Sequence, residues 1–404
     1  MEKMPDPKLF YLKGKVQHYA WGGFKYIPEL LGLPVTDKPS AEYWMGAHQS
    51  APAQLEAATP LPLNEYIAAS PAAILGQKAA DRFGELPYLF KILDVKDMLS
   101  IQVHPTKAEA EKGFARENAE GIPLNAPHRN YKDDNHKPEI MVALSEFWLL
   151  HGFLPEDKLK KVLQDVPELR SLAGIYEKEG YFGLYRTVME MPQEEVNTML
   201  RPLAERVLPP YQAGTLQKSD PAFWTARAIA NDPEGMNRLD RGIFSIYFFN
   251  IVHTSPGDAV FQDAGIPHAY LEGQNAELMA NSDNVLRGGL TPKHIDVAEL
   301  LKHTRFEPVH PNILKGEPLQ EGKERIYPTP APDFVISSIS LKTGESYAHT
   351  AAAPEIWIVL SGQGVAKGSA ELSLAKGTTV FAAFGESYNI TADTDLVVFK
   401  ASIP

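Results

Sequence analysis

The chain has 404 residues, of which 44% are hydrophobic and 22% charged, with a formal net charge of −12 and no cysteine. That length points to two or three domains. The acidic balance disfavours nucleic acid and anionic membrane surfaces as partners. The missing cysteines exclude disulfides, thiolate nucleophiles and thiolate metal ligands, so any metal must be held through nitrogen and oxygen.

The N-terminal Met-Glu-Lys-Met-Pro-Asp-Pro-Lys lacks an apolar signal core, and no run approaches the ~20 apolar residues of a membrane helix. A soluble cytoplasmic protein is the expectation. In chain order, Tyr88–Asp94 and Leu99–His104 read as strands separated by residues 95–98. Thr106 is placed to cap a helix running to Asn118, and Ile140–Phe153 reads as a buried strand. From 154 to about 235 the pattern becomes helical, with apolar residues at three-to-four spacing in Glu156–Leu163, Gln193–Val207 and Pro221–Ala230. Pro202 lies inside one such pattern and predicts a kink or break. Strand character returns at Ile243–Val252, Ala259–Phe261 and Ile266–Tyr270, and residues 294–303 read as a short helix. Six short strands between Phe334 and Lys400, separated by Gly and polar turns, predict a sandwich, jelly roll or barrel. No exact sequence repeat is visible.

Three segments carry groups suited to metal binding. Gln102 and His104 are two apart in a strand and project to one side, with Val103 on the other. Glu139 stands where the polar His136-Lys137-Pro138 runs into apolar Ile140–Leu144. Gly257-Asp258 followed by Pro267-His268 resembles the second metal motif of cupins, which are double-sheet jelly rolls. Each segment alone is also compatible with ordinary strand-end residues. Together they supply two imidazoles, a carboxylate and an amide, a set that suits zinc when no redox chemistry is needed. A side-chain amide is an unusual ligand, so water in place of Gln102 is the alternative. Arg287 and Lys293, six residues apart around Gly288-Gly289, could share a phosphate, the glycines letting a ligand approach the backbone. A Gly-x-x-x-x-Gly-Lys-Ser/Thr phosphate loop is absent from the sequence.

A set of longer motifs resembles the type I mannose-6-phosphate isomerases: Gln17-His18-Tyr19-Ala20-Trp21-Gly22, Ala41-Glu42-Tyr43-Trp44-Met45-Gly46, Leu86–Lys91, Leu99–Pro105, Asn135–Glu139, Pro267–Tyr270, Asn281–Arg287 and Gly289–Lys293. The helical stretch and the last ninety residues match weakly. The resemblance implies a mainly β fold of two cupin-like jelly rolls with an α-helical insertion. Residues 1–153 with 236–310 would form the catalytic jelly roll, 154–235 the helical domain, and 311–404 a metal-free, structural second jelly roll whose one histidine is His349.

It implies reversible isomerisation of mannose 6-phosphate and fructose 6-phosphate through an enediol, with one Zn2+ per chain on Gln102, His104, Glu139 and His268. It implies catalytic roles for Arg287, Lys137 and Glu277, and substrate contacts from Ser100, Lys293, Lys91, Tyr270, Asp283 and His136. The proton-transferring base is open between Lys137, Glu277 and metal-bound water. Arginine is too weak an acid to serve. Gln274-Asn275-Ala276 departs from the expected apolar character and would alter the pocket wall. The implied partner is a small sugar phosphate, without nucleic acid or membrane, for a monomer or weak oligomer. The competing readings are a redox cupin such as an iron oxygenase, which shares the two-His, one-carboxylate set, and a non-catalytic sugar-phosphate-binding cupin.

Overall fold

The computed structural model describes residues 8–56 and 59–404. Among these the fold is mainly β, with three sheets and a helical layer. No helix of the described residues is long and apolar enough to cross a membrane.

The ten-stranded sheet turns on one strand, His268–Ala280, thirteen residues long and buried along most of its length. It pairs antiparallel with Tyr88–Val95, Glu139–Ala143 and Phe147–Phe153, and at His268 with Gln102. Gly273 at φ 122 lies beside the register shift between Tyr270 and Glu272, where the strand changes partners. A Cβ there would stand 2.5 Å from the Glu146 carbonyl oxygen, so only glycine fits the bend.

The helical layer comprises Glu156–Asp165, Ala173–Glu190, Gln193–Gln212 and Pro221–Asn231. Its buried Leu159, Leu184, Leu200, Leu203 and Trp224 share one core with Ile101, Val103 and Leu286. The alternation expected around Gln102 is therefore present. Ile101 and Val103 face the helices, and Gln102 borders the cavity on the other side.

The C-terminal region pairs a nine-stranded sheet with a four-stranded one, Ser346–Thr350, Ser387–Ala392, Gln363–Lys367 and Glu371–Ala375, over Trp357, Val380, Ile390 and Val398. Its nine-stranded sheet packs on the ten-stranded sheet through Ile356, Phe381 and Phe399 against Met45, Phe90, Ile140 and Leu278.

Several expectations need correction. Ile243–Val252 is not one strand, because Gly242–Phe248 is a helix and the strand is Phe249–Thr254. All seven helix residues are buried, and a run apolar on every face lacks the periodicity that separates helix from strand. Ile140–Phe153 is two strands, Glu139–Ala143 and Phe147–Phe153, divided at the polar Ser145-Glu146. Leu99–His104 is a strand only at Gln102–Val103. Pro202 does not break its helix, whose buried stripe Val196, Leu200, Leu203, Ala204 and Val207 spans it. Proline's fixed φ is helical, and the packed stripe offsets the one missing N–H. The first strand departs from the expected domain division. Leu9–Lys13 pairs with Thr379–Ala382 in the C-terminal sheet.

Candidate metal centre and substrate pocket

His104, Glu139 and His268 are buried and bring one ligand atom each to within 4.8 Å of one another. Glu139 Oε2 lies 3.2 Å from His268 Nε2, and its Oε1 3.5 Å from His104 Nε2. Both imidazoles are oriented from behind by backbone. Nδ1 of His104 sits 2.8 Å from the Asn284 carbonyl oxygen, and Nδ1 of His268 2.9 Å from that of Ile266. With the proton on Nδ1 donated to a carbonyl, each Nε2 lone pair points into the site. His104 Nε2 is a buried nitrogen without a hydrogen-bond partner, the environment expected of a metal ligand. Burial lowers His104 to about 4, so it is neutral and able to ligate at pH 7. Burial opposes charge on Glu139, but Lys137 (Nζ 3.3 Å away) and the histidines outweigh it and hold the carboxyl well below its ordinary value. Gln102 lies directly opposite both His268 and Arg287 in the ladder and borders the same cavity. The donor set of two imidazoles, a carboxylate and an adjacent amide fits zinc.

Beside this trio is a cavity of about 70 Å³, walled by Gln102, Lys137, Glu139, His268, Tyr270, Lys91 and Glu277 among others. Lys91 Nζ reaches Glu277 at 2.9 Å and Glu42 at 3.5 Å. Burial works against its charge, but Glu277, Glu42 and Glu139 overcome it and keep the ammonium protonated. Burial raises Glu277 above its ordinary value, with Lys91 opposing.

Arg287, Lys293 and Lys132 form a separate basic group. Burial pulls Arg287 down from its ordinary value; burial and then Arg287 do the same to Lys293; and Lys132 feels burial, Arg129 and Arg287. Among the described residues none of these three makes an ion pair, unlike Lys91 and Lys137. The backbone on either side of Ser100 is fixed, since Leu99 N donates to the Tyr270 carbonyl and Ile101 exchanges bonds with Gly288 and Gly289.

A match to the phosphomannose isomerase type I catalytic domain covers residues 9–156. Mannose-6-phosphate isomerase of Escherichia coli (strain K12) is 38% identical over 384 residues, 93% of this chain and 95% of the relative. The chain belongs to the type I mannose-6-phosphate isomerases. The Mus musculus mannose-6-phosphate isomerase is 32% identical across 98% of this chain and 99% of its own length. A crystal structure of mannose 6-phosphate isomerase from Salmonella typhimurium, bound to the substrate fructose 6-phosphate and zinc, superposes with a TM-score of 0.87 at 33% identity, covering 98% of this chain and all of that one.

Within this isomerase fold, two of the expected pocket residues have ion-pair partners of their own. His136 Nε2 meets Asp333 Oδ2 at 2.9 Å, and Asp283 meets His48 at 3.2 Å; neither His136 nor Asp283 walls the small cavity. Gln274-Asn275-Ala276 does not reach the wall either. Gln274 donates to Asp94, and Asn275 is fully buried between strands. Gly288-Gly289 does not open the backbone to a ligand. A Cβ on Gly289 (φ 127) would lie 2.4 Å from Gly242 Cα, so that glycine serves a close backbone crossing. Gly289→Ala is expected to destabilise the protein by more than ~1 kcal/mol, read as a lower urea midpoint.

Sequence reasoning missed the supports. Asp240 Oδ1 accepts from Gly242 N and Leu290 N, and its Oδ2 from Thr291 N, clamping the loop after Arg287. Asn284, while its carbonyl holds His104, uses its side chain to tie Lys132, Asp133 and Asn135. Asn284→Ala should loosen His104 and weaken zinc binding by about 10–100-fold in a chelator competition. Unchanged affinity would remove Asn284 from the support of the site.

Proposed function

We propose that this chain interconverts mannose 6-phosphate and fructose 6-phosphate, with one zinc ion held by His104, Glu139 and His268 and by Gln102 as the fourth ligand. The observation that carries the proposal is the buried trio, with both Nδ1 atoms committed to carbonyls and His104 Nε2 unpartnered. The surrounding architecture supports a cupin-like jelly roll as the frame, with the metal ligands drawn from its central strand and the neighbours of that strand.

Held by these residues, zinc would supply Lewis-acid polarisation of a substrate oxygen. The chain's own groups do the rest. Arg287 and Lys293, unpaired on a protein of net charge −12, hold the phosphate, with Ser100 beside them. That places C1 and C2 toward Lys137, Lys91 and Glu277. Glu277 is the carboxylate whose ordinary value burial raises, the direction a general base needs, and it moves the proton between C1 and C2 through an enediol. Lys91, fixed as an ammonium, donates to substrate hydroxyls and keeps Glu277 oriented at 2.9 Å. Lys137 and Tyr270 complete that wall.

In a coupled assay, mannose 6-phosphate is converted to fructose 6-phosphate, chelation abolishes turnover, and added zinc restores it. Binding without turnover would instead mark a carbohydrate-binding protein. Full activity after complete metal removal would overturn the zinc role.

A further inference from the structure

Two distant parts of the chain carry the same buried arrangement. In the metal-bearing sheet, Glu42 and Trp44 are two apart on one strand, the Trp44 indole donates to Glu42, and Lys91 lies directly opposite Trp44. In the C-terminal sheet, Glu355 and Trp357 are two apart, Trp357 Nε1 donates to Glu355 at 3.1 Å, and Lys400 lies directly opposite Trp357. Each lysine bridges two carboxylates. Lys91 Nζ meets Glu277 at 2.9 Å and Glu42 at 3.5 Å, and Lys400 Nζ meets Glu324 at 3.0 Å and Glu355 at 3.7 Å. The first network walls the substrate cavity. The second lies outside the lining of that cavity, yet it buries three charges, an arrangement that hydrophobic residues would often match or better for stability.

The second network also opens onto a cavity. His349 Nε2 meets Glu355 at 3.0 Å and Tyr388 OH donates to Glu355 at 2.7 Å, and both residues line an open cavity of about 570 Å³. That volume is within the ~300–1,000 Å³ of small-molecule sites. Its wall also carries Thr350, Ser387, Asn389 and Lys367. The Thr350 and Ser387 hydroxyls face each other at 2.9 Å, and Lys367 is already paired with Glu371 at 3.1 Å. The surface therefore offers hydroxyls, an amide and an imidazole, with its one lysine held in an exposed pair with Glu371. Such groups both donate to and accept from vicinal hydroxyls, and they outnumber the single lysine of the wall.

We propose that this C-terminal cavity is a second ligand site, for a neutral monosaccharide, in which Glu355 fixes His349 and Tyr388 much as Glu42 and Glu277 fix the catalytic wall. The site is not the purely structural unit expected from the sequence. Its ligand is recognised through hydroxyls alone, so it works without metal and independently of turnover.

The test titrates zinc-loaded full-length protein with D-mannose by saturation-transfer NMR, in wild type, Thr350→Trp and Asn389→Ala. Saturable binding is expected in the wild type, weakened by ~10-fold or more in both variants as a cavity is filled or an amide lost, with kcat/KM for mannose 6-phosphate unchanged. Unchanged kcat/KM shows that the variants fold. Should Thr350→Trp misfold, Asn389→Ala alone decides. Mannose binding that is absent, or equal in wild type and variants, overturns the proposal. Inorganic phosphate binding that Thr350→Trp abolishes would overturn the neutral-ligand assignment.

Discussion

Glu139→Gln is expected to leave the protein folded but without metal, and to lower turnover of mannose 6-phosphate by ~10³-fold or more, the several kcal/mol a Lewis acid contributes to such a reaction. The substitution keeps the side chain's shape, so the packing of this buried position persists. It removes the charge that balances a divalent cation in a site where burial amplifies every uncompensated charge. It also strands Lys137, whose Nζ sits 3.3 Å from Glu139, as a second positive group facing the same space. Both effects act against the ion. Elemental analysis of the purified variant should therefore fall from one zinc per chain to near zero, and excess zinc in the assay should restore little. A variant that retains zinc and wild-type kcat would remove Glu139 from the ligand set.

Arg287→Ala is expected to cost about 10²–10³-fold in kcat/KM, the range for losing a fixed charged donor in a water-poor site. Arg287 stands opposite Gln102 in the ladder, so its placement is set by the same strand that carries a metal ligand. Burial pulls it down from its ordinary value, but a guanidinium stays charged at pH 7. Two further readouts identify the role. Inorganic phosphate should inhibit the variant less than the wild type. Arg287→Lys should recover only part of the loss, since an ammonium lacks the two-pronged geometry for phosphate. Equal phosphate inhibition in wild type and Arg287→Ala would move the phosphate to Lys293 and Lys132.

What was legible in the sequence was side-chain chemistry; what was not was backbone. Strand alternation put His104 on one side with Gln102, residue type made Glu139 and His268 candidates, and the resemblance to the isomerase family made the set specific. Asn284 and Ile266 were not, because they act through main-chain carbonyls that any residue possesses. Asp240 was missed for a related reason. An aspartate that accepts from Gly242 N beside it and from two backbone N–H groups of a loop fifty residues downstream leaves no pattern that points to that loop. Glu42 lay within a matching motif, yet its pairing with Lys91 depends on the register of two strands, which sequence does not display. The same limit hid the resemblance between the two halves. Its shared content is a Glu-x-Trp step and one lysine, related by strand pairing rather than by spacing along the chain. The helix at Gly242–Phe248 escaped because uniform burial erases the difference between the two periodicities.

The pairing of Leu9–Lys13 with Thr379–Ala382 has a consequence for synthesis. Leu9–Lys13 leaves the ribosome long before Thr379–Ala382, the neighbour it must wait for. Until then its apolar Leu9 and Leu12, buried in the finished protein, have no sheet to enter. Its other neighbour, Gln54–Leu55, offers only two register pairs, too little to hold an isolated edge. The nine-stranded sheet therefore closes only after its C-terminal strands have been made. A chain truncated before Thr379 would leave Leu9–Lys13 as an unpaired apolar strand, the kind of edge that recruits other chains.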